Sequence, residues 1–326
     1  VTAEIIPARG TQTHGGKRPL QQEKSGLVSE DDRSGSTHTP VLVEEVNEGL
    51  SLRYGGVYVD GTLGGGGHAT EIARRIGDEG KVIGLDRDPG AIARIASSLP
   101  KTIQPIHSNY CDLPEVLADL DIKAIDGVLL DLGLSSDQLA DRNRGFSFDS
   151  NGELDLRFDP TAGEPAYRLL ERLSAEHLAD IIYQYGEERY SRRIGRAIVN
   201  RRRETPIRTA SELAELVRRV VPSKRGPRRI DPATRTFQAL RIAVNDELKS
   251  LEIFLRRAPS ILREGGRMVI ISFHSLEDRR VKNAFRENES LEVITRKPIQ
   301  ASAEEIRRNT RSRSAKLRVA EKRFPG

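Results

Sequence analysis

The chain has 326 residues, 37% hydrophobic and 31% charged, with a net charge of +5 at neutral pH; this length suits about two domains with a real core, and the composition is that of a globular protein. One cysteine, Cys111, excludes an internal disulfide and a cysteine-built zinc site, the six histidines lack ligand spacing, and no apolar run approaches the ~20 residues that cross a bilayer. The expectation is a cytoplasmic protein with no membrane partner and no structural metal.

Residues 1–36 are rich in Gly, Ser, Thr, Gln and charge without apolar periodicity, and read as a flexible N-terminal extension. From His38 the pattern changes. "VYVDG" (57–61), "KVIGLD" (81–86), "TIQPIH" (102–107) and "DGVLLDL" (126–132) are short apolar runs bounded by turn residues, with helical stretches between them. Strands alternating with helices imply βαβ units and a parallel sheet buried on both faces.

After Leu132 about a hundred residues pass with helical periodicity and no strand pattern, Ser174 and Thr209 being placed as N-caps. A long helix over roughly 236–262 then leads through Gly265-Gly266 to the strand "RMVIISF" (267–273), a helix from Leu276, and two strand candidates, "LEVITRK" and "SAKLRVAEK". The helical region is thus an insertion: residues 37–137 and 236–326 form one α/β domain, and 138–235 form the inserted all-helical one.

Charge is unevenly spread. Between Arg189 and Arg241 sixteen Lys and Arg face four Asp and Glu, and between Arg296 and Arg323 ten face three. Any one such run is often only a solvated helix face. Two runs, rich in arginine, suit a polyanion such as nucleic acid.

The first strand ends in "VDGTLGGGGHATEIARRI" (59–76). Gly64-x-Gly66-x-x-Ala69 formally satisfies a dinucleotide fingerprint, with Asp86 at the end of the next strand as a ribose acid. That match alone is weak, and Asp60 speaks against it, because a carboxylate directly before the loop repels a diphosphate and suits an ammonium group. S-adenosylmethionine fits this layout: it is cationic at sulfur and nitrogen and has no phosphate. On that reading Gly65, Gly66 and Gly67 approach the ligand, Asp86 accepts from the ribose hydroxyls, Tyr110 packs on adenine, and Asp131 lies near the methionine end and the reacting methyl. Singly, Asp60 and Asp86 are also ordinary capping acids, Tyr110 a core residue and Asp131 a turn residue. Their recurrence at the carboxyl ends of successive strands is the stronger signal.

The segments "HTPVLVEEV" (38–46), "VDGTLGGGGHA", "GLDRDPGAI", "GVLLDLGLSSDQLADRNRGFSF", "LDLRFD" (154–159), "YGEERYSRRIGRAIVNRR", "PATRTFQALRIAVNDEL" (232–248), "GGRMVIISFHSLEDRRVK" and "SRSAKLRVAEK" together resemble the bacterial ribosomal RNA small-subunit methyltransferase H family, from His38 to the C-terminus. The resemblance implies a Rossmann-like class I S-adenosylmethionine-dependent methyltransferase with an inserted helical RNA-binding domain. It implies methylation of the N4 amino group of one cytidine in the decoding region of 16S rRNA in the small ribosomal subunit. It adds His68 and Gln138 to the cofactor residues Gly66, Gly67, Asp86, Tyr110 and Asp131. The chain departs from the family at Thr310, where proline is common, and in residues 1–36.

An exocyclic amine is a poor nucleophile, so acceptor oxygens that bind its N–H groups and take the surplus proton are needed. Asp131, or a neighbouring backbone carbonyl, is the candidate. The Asp/Asn/Ser-Pro-Pro-aromatic motif found after the fourth strand of other amine methylases is absent, since Asp131-Leu132-Gly133-Leu134 stands there. Asn245, His274 and Ser275 are candidates for holding a flipped-out cytidine, and Phe146 and Phe148 either stack on bases or anchor the insertion. Arg201, Arg202, Arg203, Arg225, Arg228 and Arg229 are the expected phosphate contacts. A nicotinamide-dependent dehydrogenase and a non-catalytic RNA-binding protein are the competing readings.

Overall fold

The computed structural model describes residues 40–222 and 231–324. In chain order the first half comprises α1 (Val43–Leu50), β1 (Val57–Asp60), α2 (Gly67–Ile76), β2 (Lys81–Asp86), α3 (Pro89–Ile95), β3 (Ile103–His107), α4 (Leu113–Asp119) and β4 (Ile125–Asp131). The helices α5 (Ser136–Ala140), α6 (Ala166–Arg172), α7 (Ala175–Gly186), α8 (Ser191–Glu204), α9 (Ala210–Val220), α10 (Thr234–Asn245) and α11 (Glu247–Ile261) follow. The chain ends with β5 (Leu262–Ser272), α12 (Ser275–Glu287), β6 (Leu291–Val293), α13 (Ala303–Arg308) and β7 (Lys316–Lys322).

The seven strands form one sheet in the order β3-β2-β1-β4-β5-β7-β6, parallel except that β7 runs antiparallel to both neighbours. This is the Rossmann-like arrangement expected of the class I methyltransferases. The order reverses between β1 and β4, and open α/β sheets bind ligands at the carboxyl ends of strands beside such a switch point.

Alternation along the central strands builds two cores. Val128 and Leu130 of β4, with Met268 and Ile270 of β5, pack under α4, α11 and α12, whereas Leu129, Val269 and Ile271 face α1 and α2. A third apolar cluster belongs to the helices between β4 and α11, where Leu178, Ile182, Ile194, Ile198, Leu213 and Val217 are all fully buried. Arg144 ties the start of this region to the sheet, its guanidinium donating to the Asp88 carboxylate and to the carbonyls of Arg157 and Phe158.

Two elements differ from the sequence expectation. The single helix over 236–262 is two helices, α10 and α11, because Asp246 takes a left-handed conformation (φ 51°, ψ 36°) that aspartate tolerates better than most residues. The strand expected to begin at Arg267 begins at Leu262, with a bulge opposite Ile125–Gly127. None of the helices among the described residues is long and apolar enough to cross a membrane.

Candidate active site

Carboxylates organise the turn from β1 to α2. Asp60 accepts from the Thr62 amide (3.0 Å) and hydroxyl (3.4 Å), while the Asp131 amide donates to the same hydroxyl at 2.7 Å, joining the ends of β1 and β4. Asp86 accepts from the Gly64 amide (2.7 Å) through one oxygen and from the Asp88 amide (2.8 Å) through the other. Gly66 donates to the Leu63 carbonyl (2.7 Å) and caps α2 at φ 76°, where a side chain would be strained. Three amides of the glycine loop are therefore already engaged and are not free to cradle a diphosphate, which counts against the dinucleotide reading.

Above the loop lies an open cleft. Its acids are Asp86, Asp131, Glu247 and Glu277, and its cations Arg87 and Arg311. Asp131 is nearly enclosed, and its Oδ1 has no hydrogen-bond partner among the described residues. Burial, with the nearby Asp60 charge, pushes the Asp131 carboxyl up to about 7 against the opposing pull of Arg311. Burial likewise carries Asp60 to about 7, and raises Asp86. Three mutually repelling acids at adjacent strand ends mark a place short of positive charge. A sulfonium with an ammonium group supplies what is missing, so the residues fit S-adenosylmethionine.

Other walls suit the same molecule. The Tyr110 ring is buried edge-on to Phe254 (5.7 Å between centroids, 87°) and lines the cleft. His68 opens α2, with Nε2 3.7 Å from Asp131. Gln138 closes a capping box on α5, its Oε1 accepting from the Ser135 amide at 2.9 Å. A family model, the MraW methylase family, matches residues 35–323. The chain belongs to this family. The ribosomal RNA small subunit methyltransferase H of Thermomicrobium roseum is 47% identical over 321 residues, covering 92% of this chain and 98% of that protein. The same-named protein of Rhodopirellula baltica is 47% identical over 322 residues, covering 94% and 98%, and that of Trichlorobacter lovleyi 47% over 306 residues, covering 87% and 98%. As a member of the MraW methylase family the chain is an S-adenosylmethionine-dependent methyltransferase.

Not every candidate residue of this methylase faces the cleft. Gly65, Gly67, His68, Asp86, Tyr110, Asp131 and Gln138 line it, whereas Asp60 and Gly66 lie behind the loop and shape it. Gly67 is needed for a close approach, since a Cβ there would meet Pro40 Cγ at 2.5 Å.

Asn245 is engaged away from the cleft. Its Oδ1 accepts from the Phe158 amide (2.7 Å) and its Nδ2 donates to the carbonyls of Leu156 (2.7 Å) and Arg241 (2.9 Å), so the amide is spent on clamping the 154–159 loop. Asn245→Ala should leave these buried groups unsatisfied at about 1–3 kcal/mol each. A melting temperature lowered by several degrees checks this; an unchanged one refutes the clamp.

His274 and Ser275 are also engaged. His274 caps α12, its Nδ1 accepting from the Glu277 amide (3.4 Å), with Nε2 3.1 Å from the Glu277 carboxylate. Ser275 donates to Glu187 at 2.6 Å. Glu247, His274 and Glu277 bring ligand-type atoms within 4.8 Å of one another, but Arg241 holds Glu247 in a two-pronged pair at 2.7 and 2.8 Å and supplies the positive charge. Against the burial that raises it, His274 and Arg241 keep the Glu277 carboxyl below its usual range.

Arg202 turns inward to the carbonyls of Leu170 and Leu173, Arg201 donates to the Thr205 carbonyl, and Arg203 is exposed. Arg225, Arg228 and Arg229 lie outside the described residues.

Sequence reasoning missed Arg311, whose guanidinium donates to the Leu134 carbonyl and the Ser136 hydroxyl beside Asp131. It also missed Glu277, although the spacing of His274 and Glu277 is that of a capping box.

The acid cluster sets a pH dependence. Below about 7 Asp131 and Asp60 hold a proton and are neutral; a cation binds the ionised form, so affinity for the cofactor should rise with pH, by at most about tenfold per unit for one coupled proton, and level off above about 8. The free protein should lose stability over the same rise, because the folded state holds these protons more tightly than the unfolded chain. Calorimetry in buffers of different ionisation enthalpy reads the released proton; a pH-independent affinity refutes the coupling.

Proposed function

We propose that this methylase transfers a methyl group to the N4 amine of a cytidine in the 16S RNA of the small ribosomal subunit. The single observation that carries the reading is the placement of Asp131. It ends β4 in the cofactor cleft, and the residues after it, Gly133 and Leu134, line both that cleft and a second, open cavity. Phe146, Phe148, Phe237 and Phe273 wall this second cavity, with Phe148 set edge-on to Phe237 at 4.8 Å. Aromatic walls stack an unpaired base, and Gln238, whose Nε2 is held by the Tyr185 carbonyl, leaves its Oε1 to the base edge.

The cofactor, when bound, supplies an electrophilic methyl group on a cationic sulfur. The protein's part is placement and proton handling. Asp86 offers its carboxylate oxygens to a ribose, Tyr110 gives adenine an apolar wall, and the ionised Asp131 accepts a hydrogen bond from the target amine. That acceptor draws the amine's lone pair out of conjugation and takes up the surplus proton, which a carboxyl titrating near 7 does readily. Arg311, packed beside Asp131, opposes the rise of that carboxyl.

The relatives' name, ribosomal RNA small subunit methyltransferase, supports the substrate class. The basic faces of the helical insertion support it independently, and we assign residues 138–235 to RNA binding. The test is transfer of labelled methyl to 16S rRNA, followed by mass spectrometry of its fragments with free RNA and whole subunits compared. A label found on an oxygen or ring carbon, or absent from both substrates, overturns the reading.

A further inference from the structure

Away from the cleft, α12, β6 and β7 border an open pocket lined by Lys282, Phe285, Arg286, Thr295, Arg296 and Arg318. Its floor is the buried Phe285 ring, and its rim is basic. Arg318 is 6% exposed and shares Asp278 with Lys316, their nitrogens lying 2.7 and 3.3 Å from its two oxygens, so Asp278 is already doubly paired. Lys282, Arg286 and Arg296 are exposed and make no hydrogen bond or ion pair among the described residues. Three exposed cations around one concave surface focus a positive potential there and draw anions to it.

The position of the pocket selects the anion. Asp278, Lys282 and Arg286 follow one another at four-residue spacing on one face of α12, and the residue that caps this helix, His274, lines the aromatic cavity. At 1.5 Å per residue, Lys282 lies about 12 Å and Arg286 about 18 Å along the helix from His274. A strand of a few nucleotides spans that distance. We propose that this pocket binds phosphodiester groups of the RNA strand flanking the target nucleotide, as a second contact separate from the helical insertion. The inference rests on RNA being the substrate. Phosphate contacts of this kind fix register without reading sequence.

The triple variant Lys282→Ala/Arg286→Ala/Arg296→Ala tests it, with Lys101→Ala/Lys123→Ala, exposed residues that precede β3 and β4 and do not line the pocket, as control. The expected result is a slope of log affinity against log salt reduced by about 2, from about 0.7 per single-strand phosphate contact. KM for RNA should rise at least tenfold with kcat, cofactor affinity and melting temperature unchanged, and the control should match the parent. A triple variant with the parent's salt slope and KM overturns the proposal while leaving the methylase reading intact. A parent protein that neither binds nor methylates RNA overturns both, and a loss in kcat alone overturns the phosphate assignment.

Discussion

Asp131→Asn is expected to slow methyl transfer at saturating cofactor by about 10²–10⁴-fold, the range for removing a positioned acid-base group, with the fold intact. The substitution keeps the size of the side chain and leaves the backbone amide on the Thr62 hydroxyl. It replaces an acceptor whose Oδ1 has no other partner among the described residues with a neutral amide that cannot take a proton. Cofactor affinity falls too, since the cleft loses a negative charge, but saturation removes that effect from kcat. The pH dependence of cofactor binding should flatten in the variant, because Asp131 is one of the two groups titrating near 7. Asp60 retains its proton more weakly once its charged neighbour is gone. Single-turnover rates with labelled cofactor measure the effect; a rate equal to the parent's assigns the proton to another acceptor and reduces Asp131 to a wall of the cleft.

The parts of the site legible in the sequence are those that follow from strand ends. Asp60, Asp86 and Asp131 each close an apolar run, and the parallel sheet brings such ends together regardless of the helices between. The sequence does not reveal which strand-end acid faces outward. Asp60 and Asp131 have the same local pattern, yet the Thr62 hydrogen bonds turn Asp60 behind the loop, and that depends on a hydroxyl two residues on. Asn245 shows the opposite failure. Its position on an amphipathic helix suggests a polar face, but the left-handed Asp246 breaks the helix there and brings the 154–159 loop onto its amide. Arg311 and Glu277 come from segments distant in sequence from the glycine loop, and only the antiparallel return of β7 and the start of α12 carry them to it.

Asp86→Ala is expected to separate stability from cofactor binding. Two hydrogen bonds from a ribose to a carboxylate contribute about 1.5–3 kcal/mol each, so the dissociation constant should rise by about 10²–10⁴-fold. Part of that loss is indirect, because the Gly64 amide that Asp86 holds at 2.7 Å is released and the loop loses its shape. The free protein does not weaken in proportion. Burial raises the Asp86 carboxyl, so an ionised Asp86 is a cost to the folded chain at neutral pH, and removing it offsets the two amides left without an acceptor. In a thermal melt the free variant should therefore unfold within a few degrees of the parent. The stabilisation by added cofactor should differ sharply: at a hundredfold excess over the parent's constant it is about 2.7 kcal/mol, and in a variant binding a hundredfold more weakly about 0.4 kcal/mol. Asp86→Asn, which keeps one acceptor oxygen for Gly64, should fall between the two. Equal cofactor-induced shifts in all three proteins would move the ribose contact elsewhere in the cleft and leave Asp86 as a brace for the glycine loop.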